Sequence, residues 1–553
     1  MSGSRLLPAF SCCSIDLVVK TLYTRFVTIQ IRDAQISRIS LDYLDFTDKG
    51  VDVRLHIHIN GLKDDRFSRP LQLIANLFFE ETTISLEDGP QNPDITIDFQ
   101  LKVANNVIVK AILQDKEAYF EKELPEAASE KEQFKVIKNS VSHAYLSVLQ
   151  EYTGMVQKWG ILTGVRPTKL LHKFLQSGLS KAEAHAKLKA EYLITDEKIQ
   201  LMQEIVDRQL AVVPDLYDLR KEVSIYIGIP FCPTKCAYCT FPAYAINGRQ
   251  GSVDSFLGGL HHEMRKIGEW LKENNINITT VYYGGGTPTS ITAEEMDMLY
   301  EEMVTSFQNV EKIREITVEA GRPDTITPEK LEVLKKWNID RISVNPQSYT
   351  QETLKAIGRH HTVDETIEKF HLARNMGMNN INMDLIIGLP GEGVAEFQHS
   401  LDETEKLMPE SLTIHTLSFK RASEMTRNKQ KYKVASRDEI VEMMNLGEKW
   451  TKEHRYAPYY LYRQKNILGN LENVGYSLPN QESIYNIMIM EEQQTIIGLG
   501  CGAASKFIDH DGKITHFANP KEPKAYNDCF KEYTDKKLAI LTEIFNQDRA
   551  LTR

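Results

Sequence analysis

Cysteine is scarce in this chain, with 7 in 553 residues. That excludes a disulfide-stapled secreted scaffold and agrees with a reducing compartment in which thiols stay free. Long apolar runs are missing as well. None approaches the roughly 18 residues needed to cross a bilayer, so no membrane span is expected. Positive charge is in short supply: 66 Lys and Arg against 76 Asp and Glu leave a net charge of −10. A nucleic-acid partner is therefore not expected, because neutralising phosphates takes a basic face. A local basic pocket for an acidic small molecule stays open. There is no internal repeat and no low-complexity tract, which leaves an ordinary globular chain. The first 28 residues are mildly apolar, but Ser11, Cys12, Cys13, Ser14 and Asp16 interrupt the would-be core of a secretory signal. A cytoplasmic protein is the expectation, these residues being a poorly ordered tail or the product of an upstream start not used in the cell. Cys12 and Cys13, being adjacent, are poor ligands for one metal.

The length predicts about three domains. Residues 1–49 read as an N-terminal extension and 50–215 as an α+β and helical domain. Leu55, Ile57 and Ile59 alternate as in a half-buried strand, Leu71 to Phe79 suits a buried helix, and Ile95 to Val103 turns at Asn105-Asn106 and returns through Leu113 as a hairpin. Phe134, Ile137, Val141, Tyr145 and Val148 step by three and four like a helix face, and Ser180 with Glu183 makes a capping box. The turn-rich segment from Trp159 to Thr168 reads as a packing turn between helices, with a functional loop as the alternative.

From residue 216 to 420 short apolar strands alternate with amphipathic helices. Strands are expected at 223–228, 279–283, 315–319, 341–345, 382–388 and 412–417, with helices at 253–273, 292–306, 328–336, 364–376 and 394–407. Six β/α units imply a parallel sheet. They are too few for a closed eight-stranded barrel, so an open six-stranded (β/α)6 partial TIM barrel is expected. Residues 421–553 read as a C-terminal α+β extension, with a helix over 437–453 and strands over 456–462 and 495–502.

Three of the cysteines, Cys232, Cys236 and Cys239, fall directly after the first of these strands, in a C-x3-C-x2-C run. Chemistry in parallel α/β sheets sits at the C-terminal strand ends. Half a zinc site is the bland reading, but structural zinc wants four protein ligands, and no fourth Cys or His is near. A [4Fe–4S] cluster can be held by three thiolates, leaving one iron open. The other strand ends carry Gly284-Gly285-Gly286-Thr287-Pro288, Glu319, Gln347 and Asp384, with Arg359 in the loop after the fourth strand. This set suits S-adenosylmethionine (SAM) chelating an open iron. The glycines permit close backbone approach, the carboxylates suit the ribose hydroxyls or cationic amine, and Arg359 suits the carboxylate. The alternatives are a buried ion pair for Glu319 and Asp384 and a solvated loop for Arg359 with His360 and His361. Lys420 and Arg421, after the sixth strand, read as substrate carboxylate partners or as a surface charge pair. Cys501 and Cys529 read as packed or inert.

The cysteine motif with GGGTP resembles the radical SAM superfamily. Tyr226 to Cys232, Glu319, Gln347, Arg359 and Met383 to Pro390 resemble the oxygen-independent coproporphyrinogen III dehydrogenases. The full-chain pattern, including Trp159–Lys169, Arg463–Asn470 and Gly498–Ser505, is similar to the HemZ branch. The resemblance covers about residues 50 to 545 and implies a monomer that converts two propionates of coproporphyrinogen III to vinyls. It implies an electron donor and acceptor that the chain does not name. Tyr226, Gly285 and Glu319 would contact one SAM, Gly286, Thr287, Gln347, Arg359 and Asp384 a second, and Tyr238 the cluster-side adenosyl group. The chain departs from the family pattern twice. Phe241 stands where a further cysteine is usual, and Gly228 where a histidine is. The alternatives are another tetrapyrrole-modifying radical SAM enzyme and a haem-binding chaperone on the same scaffold; such chaperones carry a His-Asn-x-x-Tyr-Trp type motif, whose counterpart here, Ile484 to Ile487, has neither the histidine nor the tryptophan.

Overall fold

The computed structural model describes residues 55–551, apart from residue 80 and the stretches 87–91, 126–128, 247–251, 421–422 and 465–466. The extension 1–49 and Arg421 therefore lie outside the described residues.

The first unit is a five-stranded sheet. β1 (Leu55–Asn60) lies between β2 (Thr82–Leu86) and β3 (Ile95–Val103), parallel to both, and β3, β4 (Asn106–Leu113) and β5 (Lys116–Glu123) run as an antiparallel meander. The alternation in the sequence decides which face is covered: Ile57, Ile59, Ile97, Phe99, Val107 and Val109 are buried with Val141, Tyr145 and Leu149 of the long helix Glu130–Thr153. That helix starts at a complete capping box, Ser129 with Glu132, and stops at Gly154 in the left-handed region.

The second sheet has eleven strands. Its centre is the expected set: β6 (Val223–Ile229), β7 (Ile278–Gly285), β8 (Glu315–Val318), β9 (Arg341–Ser343), β10 (Ile381–Ile387) and β11 (Ser411–Thr416), all parallel and in chain order. The helices Val253–Glu273, Ala293–Ser306, Pro328–Lys336, Val363–Asn375 and Val394–Leu407 connect them. The open six-unit (β/α) architecture is thus present. Among the described residues, those after 421 form no sheet of their own. Their strands extend the same sheet at both edges: β13 (Asn473–Ser477) runs antiparallel to β11 and is flanked by β12 (Ala457–Tyr462), while β14 (Thr495–Gly500) lies parallel beside β6, followed by β15 (Ala504–Ile508) and β16 (Ile514–Ala518). The reason is edge protection. A six-strand sheet left with two open edges exposes unpaired backbone groups, and β14 is buried along its whole length. Among the described residues no helix is long and apolar enough to cross a membrane.

The two faces of the parallel sheet differ sharply in chemistry. Ile225, Ile227, Val281, Tyr283, Ile316, Val318, Ile342, Met383, Leu385, Leu412 and Ile414 join the large core with the surrounding helices. The alternate positions are polar and bond across strands. Thr280 donates to Ser224 (2.8 Å), Arg341 to Asn382 (3.2 Å) and Ser411 (2.5 Å), and Thr413 Oγ1 to Asn382 (3.4 Å). At the N-terminal edge Glu315 accepts from Ser483 Oγ (2.8 Å), Ile484 N (2.8 Å) and Tyr485 N (3.1 Å), fixing the start of the helix Ile484–Glu491 under the sheet.

The Trp159 segment packs, as read. Trp159 is buried, its Nε1 donates to Glu472 (2.8 Å), and Arg463 sits 5.3 Å over its ring. Glu472 is also bonded by Lys198 at 2.5 Å, a fully buried pair joining the helical segment to the C-terminal residues. Cys501 is packed, its thiol donating to Pro520 O (3.3 Å).

Candidate functional site

The cysteine loop leaves the C-terminal end of β6 and is framed by a short parallel pairing of Phe231–Cys232 with Tyr244–Ala245. Backbone bonds hold it from two sides. Ala237 N donates to Ile357 O (2.9 Å), and Thr234 Oγ1 donates to Gly358 O (3.0 Å), tying it to the loop that carries Arg359. Burial pushes the Cys232 thiol up to about 11; the Thr287 hydroxyl, 3.3 Å from its sulfur, opposes this, while Cys236 and Cys239 add to it. Burial raises Cys239 too, with Lys235 and Lys420 among the groups opposing. Three cysteines on one loop, with Arg322, Lys235 and Lys420 close by, are a donor set for a metal group. Three thiols on one loop with no fourth Cys or His in the run are fewer than a closed structural zinc site takes and leave a position open for another ligand.

The glycine run follows β7. Gly285 has φ +105°, and a Cβ on Gly286 would meet Phe231 O at 2.5 Å, so the run lies directly against the chain that leads into the cysteines. The N–H groups of Gly286 and Thr287 donate to Ile229 O and Phe231 O, each at 2.7 Å. Gln347 holds φ +68°, a strained conformation for a residue with a side chain, and its backbone pairs with Asp384 and Ile386.

The two carboxylates have different settings, Glu319 facing a tyrosine hydroxyl and Asp384 facing His415. Glu319 Oε1 accepts from the Tyr282 hydroxyl at 2.6 Å, and burial pushes its pKa up to about 7 against that bond and the Gly285 N–H. Asp384 accepts from Asn345 Nδ2 and Asn382 Nδ2 at 2.8 Å each, and His415 Nε2 stands 3.5 Å away. Burial opposes its charge, but His415 and Asn382 more than offset this and hold its pKa low. Tyr462 OH lies 3.1 Å from His415 Nδ1. Tyr226 stacks on Tyr282 (6.2 Å) and Tyr485 (6.3 Å), and Tyr282 on Tyr485 (4.3 Å).

Arg359 is buried, not solvated. It donates to Asn345 O (2.6 Å) and Gly321 O (3.4 Å). Burial works against its charge, yet Tyr238 and Cys236 beside it raise its pKa. Its Nε and the Oδ1 of Asn345 have no protein partner; buried polar atoms of this kind call for a ligand. His361 is buried, and burial, then Arg359, lower its pKa to about 3, so it is a neutral packing residue. Lys420 interacts with Cys239, and burial lowers its pKa.

One of the two departures has a structural cause. A Cβ on Gly228 would lie 3.0 Å from Cys501 O and 3.3 Å from Ala503 Cβ, so the turn after β14 fills the space a histidine would need. Phe241 is 59% exposed, and nothing in the structure explains its presence. Sequence reasoning passed over Tyr282, Asn345, His415, Tyr462, Tyr485 and Arg322. Tyr282 and His415 share the polar face with residues two positions away in their strands, a signal the period-2 pattern does carry. Arg322, three residues after Glu319, gave no sequence signal.

A family profile described as the Radical SAM superfamily matches residues 226–404. The oxygen-independent coproporphyrinogen-III oxidase-like protein HemZ of Bacillus subtilis is 69% identical over 501 residues, 89% of this chain and 99% of that protein. The heme chaperone HemW of the same organism is 34% identical over 194 residues, 35% of this chain and 50% of its own length. Among solved structures, coproporphyrinogen III oxidase (HemN) from Escherichia coli, a radical SAM enzyme, gives a TM-score of 0.46 at 20% identity over 59% of this chain and 72% of that one.

Proposed function

We propose, for a chain that belongs to the radical SAM superfamily and within it to the family of the HemZ protein, the oxidative decarboxylation of two propionates of coproporphyrinogen III to vinyl groups, giving protoporphyrinogen IX. Members of this superfamily work with a [4Fe–4S] cluster and SAM. The observation that carries the reading is the coincidence, at one end of one sheet, of the three-cysteine loop with the glycine run, the carboxylates Glu319 and Asp384, and the partly unpartnered Arg359. In a family typified by a coproporphyrinogen-III oxidase-like protein, that points to this reaction.

Cys232, Cys236 and Cys239 would hold the cluster. When bound, it supplies the one-electron cleavage of SAM and, through it, abstraction of a hydrogen atom from the substrate. The protein's part is placement. Tyr226, Gly285 and Glu319 would contact the first SAM, with the Glu319 carboxylate, bonded by Tyr282, suited to its cationic amine. Gly286, Thr287, Gln347, Arg359 and Asp384 would contact a second, Asp384, held ionised by His415, suiting ribose hydroxyls and Arg359 a carboxylate. Tyr238 would lie on the cluster side. Lys420, with Arg421, binds propionate. Per propionate, one hydrogen atom, one electron and CO2 leave and a vinyl group remains, so an external electron acceptor is required.

Haem delivery is the second reading, from the HemW relatives. It is disfavoured because Ile484 to Ile487 offers no histidine and Tyr485 is committed to the stack on Tyr282. Anaerobic incubation of the reconstituted protein with coproporphyrinogen III, SAM and a reductant separates the two. Mono- and divinyl products in the mass spectrum support the decarboxylase. SAM cleavage without vinyl product contradicts it, and stoichiometric haem transfer without turnover favours the chaperone.

A further inference from the structure

Arg322 lies in the loop after β8, 3% exposed, and reaches the cysteine loop from below Glu319 in sequence. One edge of its guanidinium is taken by Asp324, with Nε at 3.0 Å and Nη2 at 2.9 Å. The remaining Nη1 points to the cysteine loop: it donates to Thr234 O (3.2 Å) and Thr234 Oγ1 (3.1 Å) and stands 3.9 Å from Cys236 Sγ. Thr234 passes the connection on to Gly358 O, one residue before Arg359. One side chain therefore bolts the strand-three loop, the cysteine loop and the Arg359 loop together.

We propose that Arg322 is a positioning residue of the cluster centre that also sets its reduction potential. The inference rests on the cysteines holding a cluster and is independent of the tetrapyrrole. Reduction adds one electron to the cluster, drawn in the test from dithionite, with no bond broken and no proton moved. A buried cation 3.9 Å from a ligand sulfur favours the more negative, reduced form and raises the potential. The other charges at this end are Arg359 beside Cys236, Lys235 and Lys420 near Cys239, and Asp324, which lies on the edge of the guanidinium away from the sulfur and partly masks it. His361 is neutral.

The test uses the reconstituted full chain as wild type, Arg322→Gln, Arg322→Lys and Asp324→Asn. Iron and sulfide are quantified, and the midpoint is read by redox titration followed by electron paramagnetic resonance, with neither SAM nor tetrapyrrole present. Arg322→Gln is expected to make the cluster harder to reduce by at least tenfold, a midpoint lower by about 59 mV for one electron. Arg322→Lys should fall less, and Asp324→Asn should rise. If Arg322→Gln loads little iron, the positioning part stands and the potential part is decided by the other two variants. Full iron in Arg322→Gln with an unmoved midpoint overturns the proposal, as does a fall in Asp324→Asn. Absence of iron from wild type would instead overturn the cluster assignment.

Discussion

Replacing Glu319 with glutamine should stabilise the ligand-free protein at alkaline pH while weakening its hold on SAM. Burial raises the folded-state pKa of Glu319 from 4.5 to about 7. A raised acid binds its proton more tightly in the folded state, so its contribution to stability is full below pH 4.5 and is lost as pH climbs through 7. At 1.36 kcal/mol per unit the loss is about 3 kcal/mol above pH 8. Glutamine carries no charge to desolvate and escapes that loss. It also turns an amide N–H toward either the Gly285 N–H or the Tyr282 hydroxyl, and one mismatched bond costs about 1 kcal/mol. The net expectation is a variant about 2 kcal/mol more stable than wild type at pH 8.5 and about 1 kcal/mol less stable at pH 4.5, with the sign changing between. Urea unfolding of both proteins across that range reads this directly. Calorimetric titration of the reconstituted proteins with SAM should show the reverse order, wild type binding tighter. A stability difference that does not vary with pH would refute the burial argument, and equal SAM affinity would refute the site assignment.

Other expectations follow from the same geometry. Cys236→Ser should lose the iron–sulfur absorption band while its circular dichroism and unfolding midpoint stay near wild type; a full-strength band would contradict the ligand assignment. Gly286→Ala puts a methyl carbon 2.5 Å from the rigid Phe231 carbonyl, so it should displace the cysteine loop and lower iron content after reconstitution without abolishing folding. Glu472→Ala removes the nearest partner of the buried Lys198 ammonium, leaving it Glu197 at 3.3 Å and Glu448 at 3.5 Å, and takes the acceptor from the Trp159 indole N–H; it should cost about 1–3 kcal/mol in urea unfolding, and no measurable loss would contradict the packing role given to Glu472.

The six parallel strands were legible because each pairs an apolar outward row with a helix of matching length: the strand expected at 382–388 is Ile381–Ile387, and that expected at 412–417 is Ser411–Thr416. The cysteine loop was legible because its chemistry is local in sequence. What could not be read was long-range. β14 pairs with β6, 272 residues away between Ser224 and Ile496, and an all-buried strand says nothing about which edge it joins. Tyr485 reaches the stack only because Glu315 anchors its helix under the sheet. Arg322 is placed by a fork geometry that no spacing encodes, and the role of Gly228 depends on a turn near residue 502.

The most direct measurement follows a single atom. Coproporphyrinogen III deuterated at the propionate β-carbons is incubated anaerobically with the reconstituted protein, SAM and reductant. The 5′-deoxyadenosine and the tetrapyrrole are then weighed by mass spectrometry. The account predicts one deuterium in 5′-deoxyadenosine for each vinyl group formed. Unlabelled 5′-deoxyadenosine with the tetrapyrrole unchanged, from protein with its cluster intact, would contradict it.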